Sequence, residues 1–131
     1  FIKKEEYQGN EEDLDEIKDI SLRLSHAFAR RAEQALQIKE HVNQAPHETL
    51  ICGDFNDTPN SYAYHQLSKG MKDAFVEQGK GISTTYSGDF PSFRIDYLLY
   101  SEAIDCIKYD RIRKRYSDHY PICGSFLFAS K

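Results

Sequence analysis

The sequence predicts an α+β domain, a long N-terminal helix followed by a mostly antiparallel sheet, and three features carry that prediction. Apolar residues recur at helical spacing from about Ile20 to Val42. A short apolar run from Thr49 to Cys52 then stops abruptly at the polar cluster Gly53-Asp54-Phe55-Asn56-Asp57. Two further strand-like runs, Phe93 to Tyr100 and Ile122 to Phe128, occupy the last third of the chain. With 131 residues, residues 1–131 form one domain or part of one, large enough to bury roughly two thirds of the unfolded surface without staples.

Composition narrows the class further. Cys52, Cys106 and Cys123 are odd in number and widely spaced, so they read as reduced core residues, and no CxxC or HxxxH spacing offers a zinc site. No stretch approaches the roughly 20 apolar residues of a membrane span, and the N-terminus lacks the zones of a signal peptide. Taken alone the chain reads as soluble and by default cytoplasmic, with room for a signal or anchor in any polypeptide preceding Phe1. The net charge of -4 argues against a generic nucleic-acid binder, although charge is placed unevenly along the chain.

Phe1 to Asp19 is crowded with Glu5, Glu6, Glu11, Glu12, Asp13, Asp15, Glu16 and Asp19, and reads as a solvated connection. Phe1-Ile2 has neither an initiator Met nor a strand-like lead-in, as if the chain began in the middle of something. In the helix that follows, Leu24, Phe28, Ala32, Ala35 and Val42 define the apolar stripe, and Asn43 and Pro46 mark its end. His26 and His41 fall on its solvent side.

Thr49 to Cys52 is apolar on both faces, which predicts a strand buried between layers. Gly53 would permit close backbone approach, and Phe55 would anchor inward. Residues two apart on a strand face the same side, so Asp54 and Asn56 converge on one point. A carboxylate there can accept a proton from water, and an amide can orient that water or hold developing charge. The same residues also fit an ordinary turn and helix cap, with Thr58-Pro59-Asn60-Ser61 opening a short helix that Gly70 closes; His65 lies on the surface of that helix.

Met71 to Gln78 fits either a short helix or an irregular strand. Ser83 to Tyr86 reads as a strand, turned by Ser87-Gly88-Asp89. Phe93 to Tyr100 is the strongest strand signal in the chain, with Asp96 lodged among apolar neighbours, where an unpartnered carboxylate is costly. A mate is available in Tyr116-Ser117-Asp118-His119-Tyr120-Pro121. An Asp that accepts a hydrogen bond from one imidazole nitrogen fixes the tautomer and frees the other nitrogen for a phosphoryl oxygen or leaving group. A serine-hydrolase reading of Ser117, Asp118 and His119 fails, because consecutive residues of an extended segment point apart and no GxSxG elbow is present. Lys108 to Arg115 is the concentrated basic patch. It fits a solvated edge strand, but it leads directly into Ser117-Asp118-His119, which favours arginines that neutralise substrate phosphates.

Gly53-Asp54-Phe55-Asn56-Asp57, Arg94-Ile95-Asp96-Tyr97 and Ser117-Asp118-His119, in this order, resemble the C-terminal half of the endonuclease/exonuclease/phosphatase superfamily, the DNase I-like group. The resemblance implies half of a four-layer α/β/β/α sandwich and metal-assisted hydrolysis of a phosphate ester, with magnesium or manganese as cofactor. It implies that Asp54 positions or deprotonates the attacking water and that Asn56 supports it. Asp96 would orient His119 on the scissile phosphate, Asp118 would contribute to metal binding, and Arg111, Arg113, Arg115 and Ser117 would face substrate. That substrate could be nucleic acid, phosphoinositide or a phospholipid headgroup. The N-terminal motifs of the family, an Asn, a metal-binding Glu and a further His or Tyr, do not occur here. A missing N-terminal half or a homodimer partner is therefore expected to cover an exposed sheet face and complete the activity. Two other classes compete: a catalytically silent binding module of the same fold, and a nucleic-acid-binding domain working through the 108–115 patch.

Overall fold

The computed structural model describes residues 11–88 and 93–128. The elements are α1 (Glu11–Gln44), β1 (Leu50–Asp54), α2 (Tyr62–Ser68), β2 (Met71–Asp73), α3 (Ala74–Gln78), β3 (Asp96–Ser101), β4 (Ile104–Arg111) and β5 (Ile122–Phe128). A three-stranded antiparallel sheet runs in the order β1-β3-β2, and β4 and β5 form an antiparallel ribbon with a bulge between Cys106 and Lys108. The predicted mixed, mostly antiparallel class with a long N-terminal helix is the observed one. No helix among the described residues is long and apolar enough to cross a membrane.

Strand β3 is central because its alternating side chains are apolar on both sides. Tyr97 and Leu99 pack with Ala35 of α1 and Ala63 and Leu67 of α2, joined by Ile51, Phe55, Tyr64 and Met71. Leu98 and Tyr100 pack with Ala74, Ile104 and Cys106, joined by Leu50, Tyr109, Ile122 and Phe126. The sheet is thus sandwiched between a helical layer and the β4–β5 ribbon. Burial pushes the Tyr100 hydroxyl up to about 12 and the Tyr97 hydroxyl higher still, so both stay neutral.

Several expectations require correction. Helix α1 begins at Glu11, so residues 11–19 are helical rather than a connection; Phe1 to Asn10 lie outside the described residues. Exposed pairs at helical spacing, Lys18 to Asp15 at 3.0 Å and Arg23 to Asp19 at 2.6 Å, reconcile its charge with helix formation. Only the C-terminal half of the predicted stripe is covered: Ala35 is 2% exposed, while Leu24 and Phe28 are 52% and 53% exposed. His26 and His41 face solvent as expected.

Strand β1 is an edge of its sheet rather than a buried strand, and Cys52 is exposed, as is Cys123 on β5; Cys106 alone is a core thiol, and all three are free. Among the described residues nothing covers the outer faces of β1 and β5. Gly53 likewise meets no close neighbour, since a Cβ there would have nothing within 4 Å. Met71 to Gln78 holds both alternatives in succession, β2 then α3. Ser83 to Tyr86 forms no strand, only an isolated bridge from Tyr86 to His119, and Asp89 of the predicted turn lies outside the described residues. Phe93 to Ile95 precedes β3 instead of belonging to it. Helix α2 matches its signals: Ser61 Oγ accepts the Tyr64 N–H at 3.1 Å, and Gly70 follows at a φ of 70°.

The lead-in to β3 is fixed by a buried ion pair. Arg94 donates to Asp73 Oδ2 at 2.6 Å, with side-chain exposures of 10% and 4%. The same carboxylate accepts the Tyr64 hydroxyl at 2.8 Å and, through Oδ1, the Phe75 N–H at 2.9 Å, which caps α3. The guanidinium also lies over the rings of Tyr97, Phe75 and Tyr64 at 4.6, 4.8 and 5.6 Å. Arg94→Met removes the cation and leaves Asp73 uncompensated, an expected loss of about 3 to 5 kcal/mol in urea unfolding. Adding Asp73→Asn should return part of that loss.

Candidate active site

The ladder between β1 and β3 starts by pairing Leu50 with Tyr100 and ends by pairing Asp54 with Asp96. Directly opposed residues of an antiparallel pair present their side chains to one face, about 4.5 to 5.5 Å apart at Cβ. Two carboxylates therefore emerge side by side at the end of the sheet. His119 meets them from the segment before β5. Its Nδ1 lies 2.9 Å from Asp96 Oδ2, and its Nε2 lies 3.9 Å from Asp54 Oδ2. The Tyr86 ring stands edge-on to the imidazole at 5.2 Å and walls one side.

This arrangement holds the His119 pKa above its ordinary 6.5. The hydrogen bond to Asp96 is the largest cause; partial burial opposes it, and the charges of Asp96, Asp54 and Asp118 add to it. A raised histidine pKa stabilises the fold below the unfolded value, and that contribution fades as pH rises through the folded one.

The polar cluster after β1 takes the turn reading. Asp54 Oδ1 accepts the Asn56 N–H at 2.7 Å in an Asx turn, and Asn56 takes a left-handed φ of 50°, which asparagine tolerates. The two side chains are thus linked by a turn, not by strand alternation, and Asp54 keeps Oδ2 for the imidazole. Asp57 pairs with Arg31 of α1 at 3.3 Å, and the Tyr97 hydroxyl lies 2.8 Å from the carbonyl oxygens of both Asp57 and Arg94. Phe55 packs inward against Tyr97, ring centroids 4.7 Å apart.

Asp54, Asp96 and His119 offer one ligand atom each, all within 4.8 Å of one another, and this is the group among the described residues that could hold a metal ion. Asp118 is exposed and outside that group; its backbone carbonyl accepts the Ser87 N–H at 2.8 Å. Ser117, expected to face substrate, turns its hydroxyl onto its own chain, accepting the His119 N–H at 3.0 Å and lying 3.2 Å from the His119 carbonyl. Arg111, also expected to face substrate, donates to the Thr84 carbonyl at 2.6 Å and lies over the Tyr120 ring at 4.9 Å, so it braces the fold. Arg113 is exposed and lines a groove with Lys80 and Lys108, and Arg115 reaches the Ser87 carbonyl at 3.4 Å.

Sequence reasoning missed Thr85, which is 0% exposed. Its Oγ1 accepts the N–H groups of Ile95 and Asp96 at 3.0 and 3.1 Å, and its carbonyl accepts the Tyr120 N–H at 2.7 Å. A threonine between Thr84 and Tyr86 reads as one more strand residue, and only tertiary contacts reveal the difference. Arg94 was visible as a charge beside Asp96, but its partner Asp73 is distant in sequence.

A model of the Endonuclease/Exonuclease/phosphatase family matches residues 15–119. No curated protein matches the sequence. An endonuclease/exonuclease/phosphatase family protein from Bacteroides thetaiotaomicron is similar at 21% identity and a TM-score of 0.65, over 78% of this chain and 45% of that one. A mannosyl-6-phosphatase from the same organism is similar at 22% identity and a TM-score of 0.62, over 75% and 46%. An endonuclease/exonuclease/phosphatase from Bacteroides vulgatus gives 22% and 0.66, over 76% and 44%. The chain spans under half the length of each of these structures, and the likeness is one of fold.

Since the bond from Asp96 is the largest cause of the raised His119 pKa, Asp96→Asn should move that pKa downward in metal-free protein. Imidazole chemical shifts followed against pH check this; a midpoint unchanged from the parent would contradict it.

Proposed function

This chain belongs to the endonuclease/exonuclease/phosphatase family, and on that premise we propose that Asp54, Asn56, Asp96 and His119 form the hydrolytic wall of a metal-dependent phosphate-ester hydrolase. The observation that carries the reading is the placement of His119, with one ring nitrogen on Asp96 and the other directed toward Asp54. Water attacks phosphorus as the ester P–O bond breaks, and the leaving oxygen departs as an alcohol with a proton taken from solvent. Asp54 Oδ2 takes the water's proton while Oδ1 stays on the Asn56 N–H, and the Asn56 amide steadies the water. Protonated His119 donates from Nε2 to a phosphoryl oxygen, with its Nδ1–H fixed by Asp96.

The donor chemistry fits a hard divalent cation, because such ions take one or two protein carboxylates and keep several waters. In this reading Asp118 would contribute a carboxylate to magnesium or manganese, Asp54 Oδ2 being kept for the water's proton and His119 Nδ1 for Asp96. When bound, the cation neutralises charge building on the phosphoryl oxygens. Arg113 and Arg115 would draw in the anionic substrate.

The substrate class is a phosphate ester: nucleic acid, phosphoinositide, phospholipid headgroup or, by analogy with the mannosyl-6-phosphatase neighbour, a sugar phosphate. The other wall of the site would come from a preceding half of the same domain or from a second copy of the chain, which would also cover Leu24, Phe28, Cys52 and Cys123.

The test is turnover of a 4-nitrophenyl phosphate monoester and diester by the native protein, with and without magnesium. We expect metal-dependent hydrolysis that His119→Ala and Asp54→Ala each reduce by about 10²- to 10⁴-fold. Full activity in both variants would overturn the assignment.

A further inference from the structure

The segment 85–87 lies between the two parts of the chain that carry the Asp96–His119 pair, and it is bonded to both. On one side, the N–H groups of Thr85 and Tyr86 each donate to the Phe93 carbonyl at 2.9 Å, and the Thr85 hydroxyl accepts the Ile95 and Asp96 N–H groups. On the other side, the Thr85 carbonyl accepts the Tyr120 N–H, the Ser87 N–H donates to the Asp118 carbonyl, and Tyr86 bridges His119. Thr85 is thus hydrogen-bonded to the chain on both sides of the pair.

We propose that Thr85 is a positioning residue for this site: its side chain sets the backbone of Asp96, its carbonyl sets the backbone beside His119, and the span between them fixes the Nδ1 to Oδ2 bond. Three features make the assignment chemical rather than merely steric. Asp96 and Ile95 sit where the ladder with β1 ends, and the Phe55 N–H already takes the Ile95 carbonyl at 2.8 Å. The N–H groups facing Thr85 therefore rely on it as an acceptor. A hydroxyl oxygen carries two acceptor lone pairs, enough for both. Thr85 is also fully buried, so water cannot replace it without opening the core. Valine, nearly the same shape, would fill the space and leave two donors unmet.

The inference deepens the hydrolytic reading of the site, and it is read out without turnover. The Nδ1–H proton of His119 should appear far downfield in proton NMR of the native protein, identified by its loss in Asp96→Asn. We expect Thr85→Val to abolish or broaden that resonance and Thr85→Ser to retain it. Ser83→Ala, which removes a neighbouring buried hydroxyl bonded to Tyr109 rather than to the pair, should also retain it. A resonance unchanged in Thr85→Val overturns the proposal.

Should Thr85→Val fail to fold, hydrogen exchange of the unaltered protein decides. The Ile95, Asp96 and Tyr120 amides should open together with matched protection, and more than tenfold separation between Tyr120 and the other two overturns the proposal. In turnover by the native protein, Thr85→Val should lower kcat about 10- to 100-fold with little change in KM, and Thr85→Ser should restore it. Loss of the proton signal with undiminished kcat would overturn the hydrolytic reading while leaving the positioning role intact.

Discussion

The buried Asp73–Arg94 pair is the interaction on which the rest of this fold depends. Charges removed from water must be compensated, and both are: Asp73 by a guanidinium, a phenol and a backbone N–H, Arg94 by that carboxylate and three aromatic rings. Replacing the whole arrangement by apolar side chains need not destabilise the protein, whereas removing one member does. Its effect is geometric. It joins α2, the start of α3 and the approach to β3 at one point, two residues before β3 opens at the histidine-bound Asp96.

From that starting point the site assembles by two mechanisms of different character. Asp54 and Asp96 are placed by a regular ladder, in which position follows from register alone. His119 is placed by irregular chain, held by its own Ser117 turn, by the Tyr86 bridge and by Tyr120 anchored on Thr85. The regular part is stiff because β3 is buried on both faces. The irregular part owes its order to specific hydrogen bonds.

This division explains what could be read from the sequence. The opening of α2 behind Thr58-Pro59-Asn60-Ser61, the Gly70 terminator and the bounds of β5 were legible because each rests on local chemistry. The Asp96–His119 pair was legible because an apolar strand interior leaves a carboxylate few options. The exposure of β1 was not, since an apolar run reports the burial a chain is suited for and not the neighbours it has. The helical state of residues 11–19 was hidden by charge density, which i to i+4 pairing reconciles with a helix. Ser117 and Arg111 have residue types that suit phosphate, yet backbone carbonyls and N–H groups nearby claimed them first. Thr85 carried no signal, because a single hydroxyl gains its meaning only from groups brought to it by folding.

The pairing of Asp54 with Asp96 at the mouth of one ladder separates the chemistry from the decoration. Residues 55–95 join the two strands at that mouth as one long excursion carrying α2, β2 and α3, with β2 returning to the far edge of the same sheet. Insertions or deletions in the exposed turns of that excursion, away from Ala63, Leu67, Asp73, Thr85 and Arg94, leave the carboxylates facing each other, because their spacing is dictated by neighbouring strands. A single residue inserted within Leu50–Asp54 acts oppositely: the two-residue period of a strand would swing Asp54 to the helical face. A lineage of such chains is thus free to diversify the exposed turns while its reactive pair stays put, and drift in length should accumulate in turns such as residues 80–82 and almost not at all within the strand.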